Sequence, residues 1–198
     1  MFPEARCELN YHDPFQLLVA VVLSAQATDV SVNKVTPGLF DKYPSAIKMA
    51  SAPLIEIENC IRSIGLYRNK AKNIQRLSLQ LLSEFNGNVP HTREELMKLA
   101  GVGRKSANVI LSECFNIPAL AVDTHVERIS KRLGLAKPKD DVFEVEKKLM
   151  RKIRKKDWNE AHHLLIFFGR YFCRAKKPSC TTCPFIDRCR EKNKNIES

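Results

Sequence analysis

Residues 15–25 are apolar on nearly every side, and no stretch constrains the fold more. A helix of that composition has no solvent face, so it belongs at the centre of a helical domain with other helices packed around it. A buried parallel strand is the competing form for a short apolar run. The helix is preferred because Asp13-Pro14 supplies an N-cap and a first-turn proline, and because the polar stretch Ser24 to Asp29 continues it without a turn signal. No strand pattern of any strength appears elsewhere, so the fold class is all-α.

Breakers and helical spacing place the other helices at 29–43, 45–50, 53–64, 67–85, 92–99, 104–114, from after Asp123 to about Leu133, 142–153 and 158–172. Within 67–85, Ile74, Leu77, Leu81 and Leu82 recur at helical spacing, and Asn86-Gly87 terminates the run. Thr92 and Glu95 read as a capping box. Residues from Glu191 onward read as a loose, charged tail.

At 198 residues the chain suits one large domain or two small intertwined ones, and it can bury a core without disulfides. Its 33 Lys and Arg outnumber 22 Asp and Glu, a formal charge of +11. That excess predicts a polyanionic partner, nucleic acid before a membrane surface. The longest apolar run, Leu17 to Leu23, is too short to cross a bilayer, and no N-terminal leader pattern is present. Seven cysteines, an odd number, argue for reduced thiols or metal ligands instead of a disulfide frame.

Gly101-Val102-Gly103 joins two helices, a helix-hairpin-helix pattern. Both glycines are expected in dihedrals closed to other residues. Their N–H groups, beside a helix N-terminus, would make an anion site suited to a DNA backbone. A glycine turn serving packing alone is the plain alternative; Arg104-Lys105, directly after it in a strongly basic chain, favours the first.

Lys105 falls in the first turn of the next helix, where the dipole disfavours an ammonium. A neutral amine there can attack carbon and form a Schiff base; on position alone, a phosphate-binding lysine is equally plausible. Asp123 precedes a helix and reads first as an N-cap. Thr124 and Glu127 form a capping box of their own, which leaves Asp123 partly spare to stabilise an oxocarbenium-like transition state. His125 reads as a structural or phosphate-contacting residue, and His162-His163 as packing and surface.

Cys173, Cys180, Cys183 and Cys189 follow C-x6-C-x2-C-x5-C. Tetrahedral zinc usually takes two close pairs and here there is one, so an iron–sulfur cluster stands ahead of zinc without excluding it. Arg174, Lys176 and Lys177 lie between the first two ligands, as a phosphate-facing edge if a metal fixes the loop and as a solvated loop otherwise. Cys7, Cys60 and Cys114 read as buried or free thiols.

Leu23-Ser24-Ala25-Gln26-Ala27-Thr28-Asp29, Ile64-Gly65-Leu66-Tyr67, Gly101-Val102-Gly103-Arg104-Lys105, Val122-Asp123-Thr124-His125 and the four cysteines, in that order, resemble the endonuclease III family of helix-hairpin-helix DNA glycosylases. The resemblance covers nearly the whole chain. It implies two helical domains with a DNA cleft between them: a six-helix barrel with the hairpin at 11–116, and a cluster domain of 1–10 and 117–198 whose loop is 173–189. It implies excision of oxidised pyrimidines through a lysine Schiff base, then strand cutting 3′ to the abasic site by β-elimination. Lys105 would be the nucleophile and Asp123 the catalytic carboxylate. Gln26 and Leu66 would enter the DNA where the damaged base leaves. Gly101, Val102, Gly103, Arg104, His125, Arg174, Lys176 and Lys177 would complete the DNA-binding set. Cys173, Cys180, Cys183 and Cys189 would hold a [4Fe–4S] cluster. The implied partner is double-stranded DNA with damaged pyrimidines or abasic sites, met in the bacterial cytoplasm by a monomer that engages no membrane.

The related adenine-mismatch glycosylases share the cluster but lack the lysine and carry a further C-terminal domain. A monofunctional glycosylase and a non-catalytic DNA-binding scaffold are the alternatives. Three departures from the family stand out. Ala100 replaces a usual proline, which predicts a less rigid hairpin. Met97 replaces a commonly acidic residue. The family's first helix would lie before Met1.

Overall fold

The computed structural model describes residues 1–196; its described residues form ten α-helices with short 3₁₀ and π segments and no strand. Backbone contacts divide the chain into two compact units, Glu8–Ile117 and Met1–Cys7 with Pro118–Ser198.

In the unit Glu8–Ile117, α1 (Pro14–Leu23) is the axis: every residue from Phe15 to Leu23 is buried. Asp13 caps it by accepting from the Gln16 N–H at 2.9 Å. Around it pack α2 (Asp29–Lys42), α5 (Tyr67–Phe85) and α7 (Arg104–Phe115). They contribute Val32, Leu39, Ile74, Leu77, Leu81, Ala107 and Ile110, all fully buried. Each large aliphatic side chain so buried contributes roughly 1.5–3 kcal/mol, and α1 supplies an unbroken run of buried residues to this core. The short helices α3 (Ala46–Ser51), α4 (Leu54–Cys60) and α6 (Arg93–Leu96) complete it.

Three helices end earlier than the sequence suggests. α1 stops at Leu23 instead of running on, because the Ser24 hydroxyl bonds back to the Val21 carbonyl at 2.9 Å and Gln26 turns to φ +54°. Thr28 then starts α2 afresh as its cap. α4 gives way to turns at Ile61, and α6 ends at Leu96, since the hairpin needs the following residues. By contrast α5 has the expected bounds, closed by Asn86 and Gly87 at positive φ.

In the other unit, α8 (Thr124–Arg132), α9 (Val142–Lys152) and α10 (Trp158–Phe167) surround a core of Leu120, Val122, Val126, Ala136, Val145 and Leu149. α10 passes into a π-helical turn, Phe168–Phe172, that delivers the chain to the cysteine loop. His162 and His163 are both buried, so the surface reading of this pair fails; the His162 Nδ1–H donates to the Ala121 carbonyl at 2.8 Å. Among the described residues no helix is long and apolar enough to cross a membrane.

Candidate functional site

The hairpin is built by burying Leu99 and Val102. The Val102 N–H donates to the Leu99 carbonyl at 3.1 Å, so this residue serves the turn itself. Gly101 has φ +81°, and a Cβ there would lie 3.0 Å from Val22 Cγ1 and 3.1 Å from Asn73 Nδ2. Glycine is required on both counts. Gly103 departs from expectation: its φ is −96°, a Cβ would meet nothing, and it serves as the N-cap of α7. No side chain caps α7. That helix end therefore presents first-turn N–H groups and the positive pole of the dipole, the chemistry of an anion site. Arg104 and Lys105 occupy this turn, both half-buried. Arg93 Nε donates to Asn108 Oδ1 at 2.7 Å and ties α6 to α7.

Gln26 and Leu66 share an unusual property. Both are exposed non-glycine residues in the left-handed region, at φ +54° and φ +58°. Leu66 leaves 56% of its surface in solvent at the start of α5. A large aliphatic side chain more than half exposed on a strained backbone contributes little burial for its size, and such strain tends to gather at functional positions.

In the other unit Asp123, and not Thr124, caps α8, because Thr124 is already helical. Asp123 Oδ1 accepts from the N–H groups of His125 at 2.9 Å and Val126 at 2.8 Å. Glu127 pairs with Lys131 at 2.6 Å instead of reaching back. The carboxylate is thus held by one oxygen, and its second oxygen carries the remaining acceptor capacity. His125 is half-buried, its Nδ1 3.4 Å from Arg128 Nη2. Arg128 Nη2 also donates to the Gly169 carbonyl at 2.7 Å. Gly169 lets α8 approach closely, since a Cβ there would sit 3.0 Å from the His125 Cβ.

The four clustered cysteines are all free thiols in this unit. Among the described residues no three His, Cys, Asp or Glu side chains converge as a metal site. The donor chemistry nevertheless fits an iron–sulfur group. Burial pushes the Cys173 thiol up, and the Arg132 guanidinium, donating to its sulfur at 3.3 Å, pulls the other way. A hydrogen bond donated to a sulfur is one of the interactions that orient and tune a metal-bound thiolate. Arg132 also donates to the Arg174 carbonyl at 2.9 Å and the Ala175 carbonyl at 3.4 Å. It thereby orders the basic loop, on which Arg174, Lys176 and Lys177 are exposed.

The segment after Glu191 is less loose than its composition implies: Glu191 pairs with Arg132 at 3.0 Å and Asn195 Nδ2 donates to the Pro178 carbonyl at 3.1 Å. Sequence reasoning missed Arg128 and Arg132. Their only signal was two arginines one turn apart on the helix that follows Asp123.

Residues 19–155 match the family model described as HhH-GPD superfamily base excision DNA repair protein, a class of helical proteins that the hairpin and the all-α architecture already define. The chain is 58% identical over 194 residues to Endonuclease III of Bacillus subtilis (strain 168), covering 98% of this chain and 89% of that protein. Against Endonuclease III of Synechocystis sp. the identity is 48% over 190 residues, covering 96% and 86%. A solved trapped Endonuclease III–DNA covalent intermediate, an estranged-adenine complex, superposes with a TM-score of 0.94 at 58% identity, covering 96% of this chain and 89% of that one. The chain belongs to the endonuclease III family within that superfamily.

Proposed function

We propose that this chain is a bifunctional DNA glycosylase and AP lyase of base excision repair, acting on double-stranded DNA that contains oxidised pyrimidines or abasic sites. The observation that carries the reading is a lysine in the first turn of α7, immediately after the glycine hairpin, in a chain 58% identical to an endonuclease III.

The unit Glu8–Ile117 serves as the hairpin domain and the remainder as the cluster domain. Gly101, Gly103 and Arg104 grip the backbone of a damaged strand, with Arg174, Lys176, Lys177 and His125 as further phosphate contacts. Gln26 and Leu66 fill the space vacated when the damaged nucleotide is extruded. The Lys105 amine attacks the sugar C1′. The bond from C1′ to the base breaks, and the base leaves with the electron pair and takes up a proton. The Asp123 carboxylate stabilises the positive charge that develops on the sugar. The nitrogen loses one proton, the C1′–O4′ bond breaks as the ring oxygen takes up a proton, and a protonated Schiff base results; a C2′ proton is then removed, and the 3′ phosphate departs with the electron pair of the C3′–O bond by β-elimination.

Cys173, Cys180, Cys183 and Cys189 would hold the [4Fe–4S] cluster. When bound, it links four thiolates and so fixes the loop that carries the basic residues. Arg132, already against the Cys173 sulfur, supports this assignment. The bacterial relatives support action on the nucleoid.

A duplex with one thymine glycol, incubated with the iron-loaded protein, tests the reading. Free base and a strand nicked on the 3′ side are expected. Base release from an uncut strand would mark a monofunctional glycosylase, and binding without either product a scaffold.

A further inference from the structure

Alanine at position 100 does not itself fix φ just before the glycine turn. A side chain on α5 supplies a tether there. Gln80 Oε1 accepts from the Ala100 N–H at 2.8 Å, and Gln80 Nε2 donates to the Lys98 carbonyl at 3.0 Å. One amide therefore holds the chain at both a carbonyl and an N–H, two residues apart, just before the turn. The anchor is firm, because the neighbouring Leu77 and Leu81 are fully buried. Asn73 lies two helical turns earlier on the same stripe of α5 and meets Gly101 itself, its Cβ 3.2 Å from where a glycine Cβ would be. The hairpin is thus met by α5 at two points.

The Gln80 amide offers a donor and an acceptor side by side at its tip, and both are used here. Glutamate would keep the bond from Ala100 and set an anion against the Lys98 carbonyl; leucine would keep neither. Proline at position 100 would remove the N–H that Gln80 accepts. Gln80 and Ala100 are therefore coupled through one hydrogen bond, and a residue at position 100 without an N–H leaves the Gln80 oxygen unmet.

We propose that Gln80 is a positioning residue, whose amide clamp on Lys98 and Ala100 sets the attitude in which the Gly101–Gly103 turn and the start of α7 meet the DNA backbone. The inference rests on the hairpin being a backbone-binding element, as in the proposed function.

The test is a double-mutant cycle on the iron-loaded full chain, with KM and kcat for nicking of a thymine-glycol duplex and affinity for a duplex bearing a tetrahydrofuran abasic analogue. Gln80→Leu is expected to raise KM and Kd five- to tenfold while kcat falls less than twofold. Ala100→Pro alone is expected to weaken binding, because it strands the Gln80 oxygen. The double variant Gln80→Leu, Ala100→Pro is expected to bind within twofold of the starting protein, a non-additivity that general destabilisation does not produce. Should Gln80→Leu fail to fold, Gln80→Glu is measured instead, with binding expected between the two. Unchanged Kd in the folded variants, or effects of the two changes that simply multiply, would overturn the clamp. Failure of the starting protein to nick at all would instead count against the proposed function.

Discussion

Arg132 Nη1 donates to the Cys173 sulfur at 3.3 Å, joining α8 to the loop that carries all four clustered cysteines. The same guanidinium holds two carbonyls of that loop and pairs with Glu191, so its planar fork is used on several sides. Arg132→Met should cost about 2 kcal/mol, from the loss of charged hydrogen bonds at a largely buried group. It should also lower iron retained per chain by half or more during dialysis against a chelator. Arg132→Lys should rescue this only partly, because an ammonium cannot span the same partners. Iron content equal in all three proteins would remove Arg132 from the proposed cluster site.

Leu66 shows the cost of keeping an apolar side chain outside. Its φ of +58° costs roughly 1–2 kcal/mol in a non-glycine residue. Leu66→Gly relieves that strain, offset in part by the burial its half-covered side chain loses and by the greater freedom of glycine in the unfolded chain. The variant should be more stable by about 0.5–1 kcal/mol in urea and at least tenfold slower in single-turnover base release. Equal rates would mean that Leu66 does not enter the DNA.

Asp123 combines a cap and a charge, and two substitutions separate them. Asparagine keeps the oxygen that accepts from His125 and Val126, so Asp123→Asn should stay within about 0.5 kcal/mol of the starting stability. Alanine removes the cap and should cost about 1 kcal/mol. Both should slow base excision roughly a hundredfold or more, the magnitude of losing a placed electrostatic group. Turnover unchanged in the asparagine variant would leave Asp123 as a cap alone.

What was legible in the sequence follows from the range of the forces involved. The bounds of α5 were readable because Asn86-Gly87 stops a helix locally. The end of α1 was not, since composition does not reveal whether a serine will bond back to its own helix. Two cap patterns overlap at Asp123 and Thr124, and the Ser/Thr-x-x-Glu spacing pointed one residue too far. The backbone settles that choice by leaving Asp123 extended and Thr124 helical. Arg132 and Gln80 were not legible, because their partners lie 41 and 20 residues away and nothing in the spacing joins them.

Lys70 supplies a pH test of the unit Glu8–Ile117. Its Nζ is buried and has no hydrogen-bond partner among the described residues. Desolvation lowers its pKa from the ordinary lysine value of 10.5. Between the lowered value and 10.5 the unfolded chain binds more protons than the folded one, so this group makes stability rise with pH across that window. Below the window its full penalty applies. Lys70→Met should therefore stabilise the protein by about 1 kcal/mol at pH 7. Its advantage should shrink as pH rises toward 10.5, as read from urea midpoints across the range. An advantage that grows with pH would show that Lys70 has a partner.

The central claim is that Lys105 forms the covalent bond to the sugar. Iron-loaded protein is mixed with a thymine-glycol duplex in the presence of borohydride, and the adduct is digested and sequenced by mass spectrometry. A reduced deoxyribose remnant on Lys105, and no adduct from Lys105→Gln of equal iron content and DNA affinity, is the result expected. An adduct that persists in Lys105→Gln, or a remnant on any other amine of the starting protein, would contradict it.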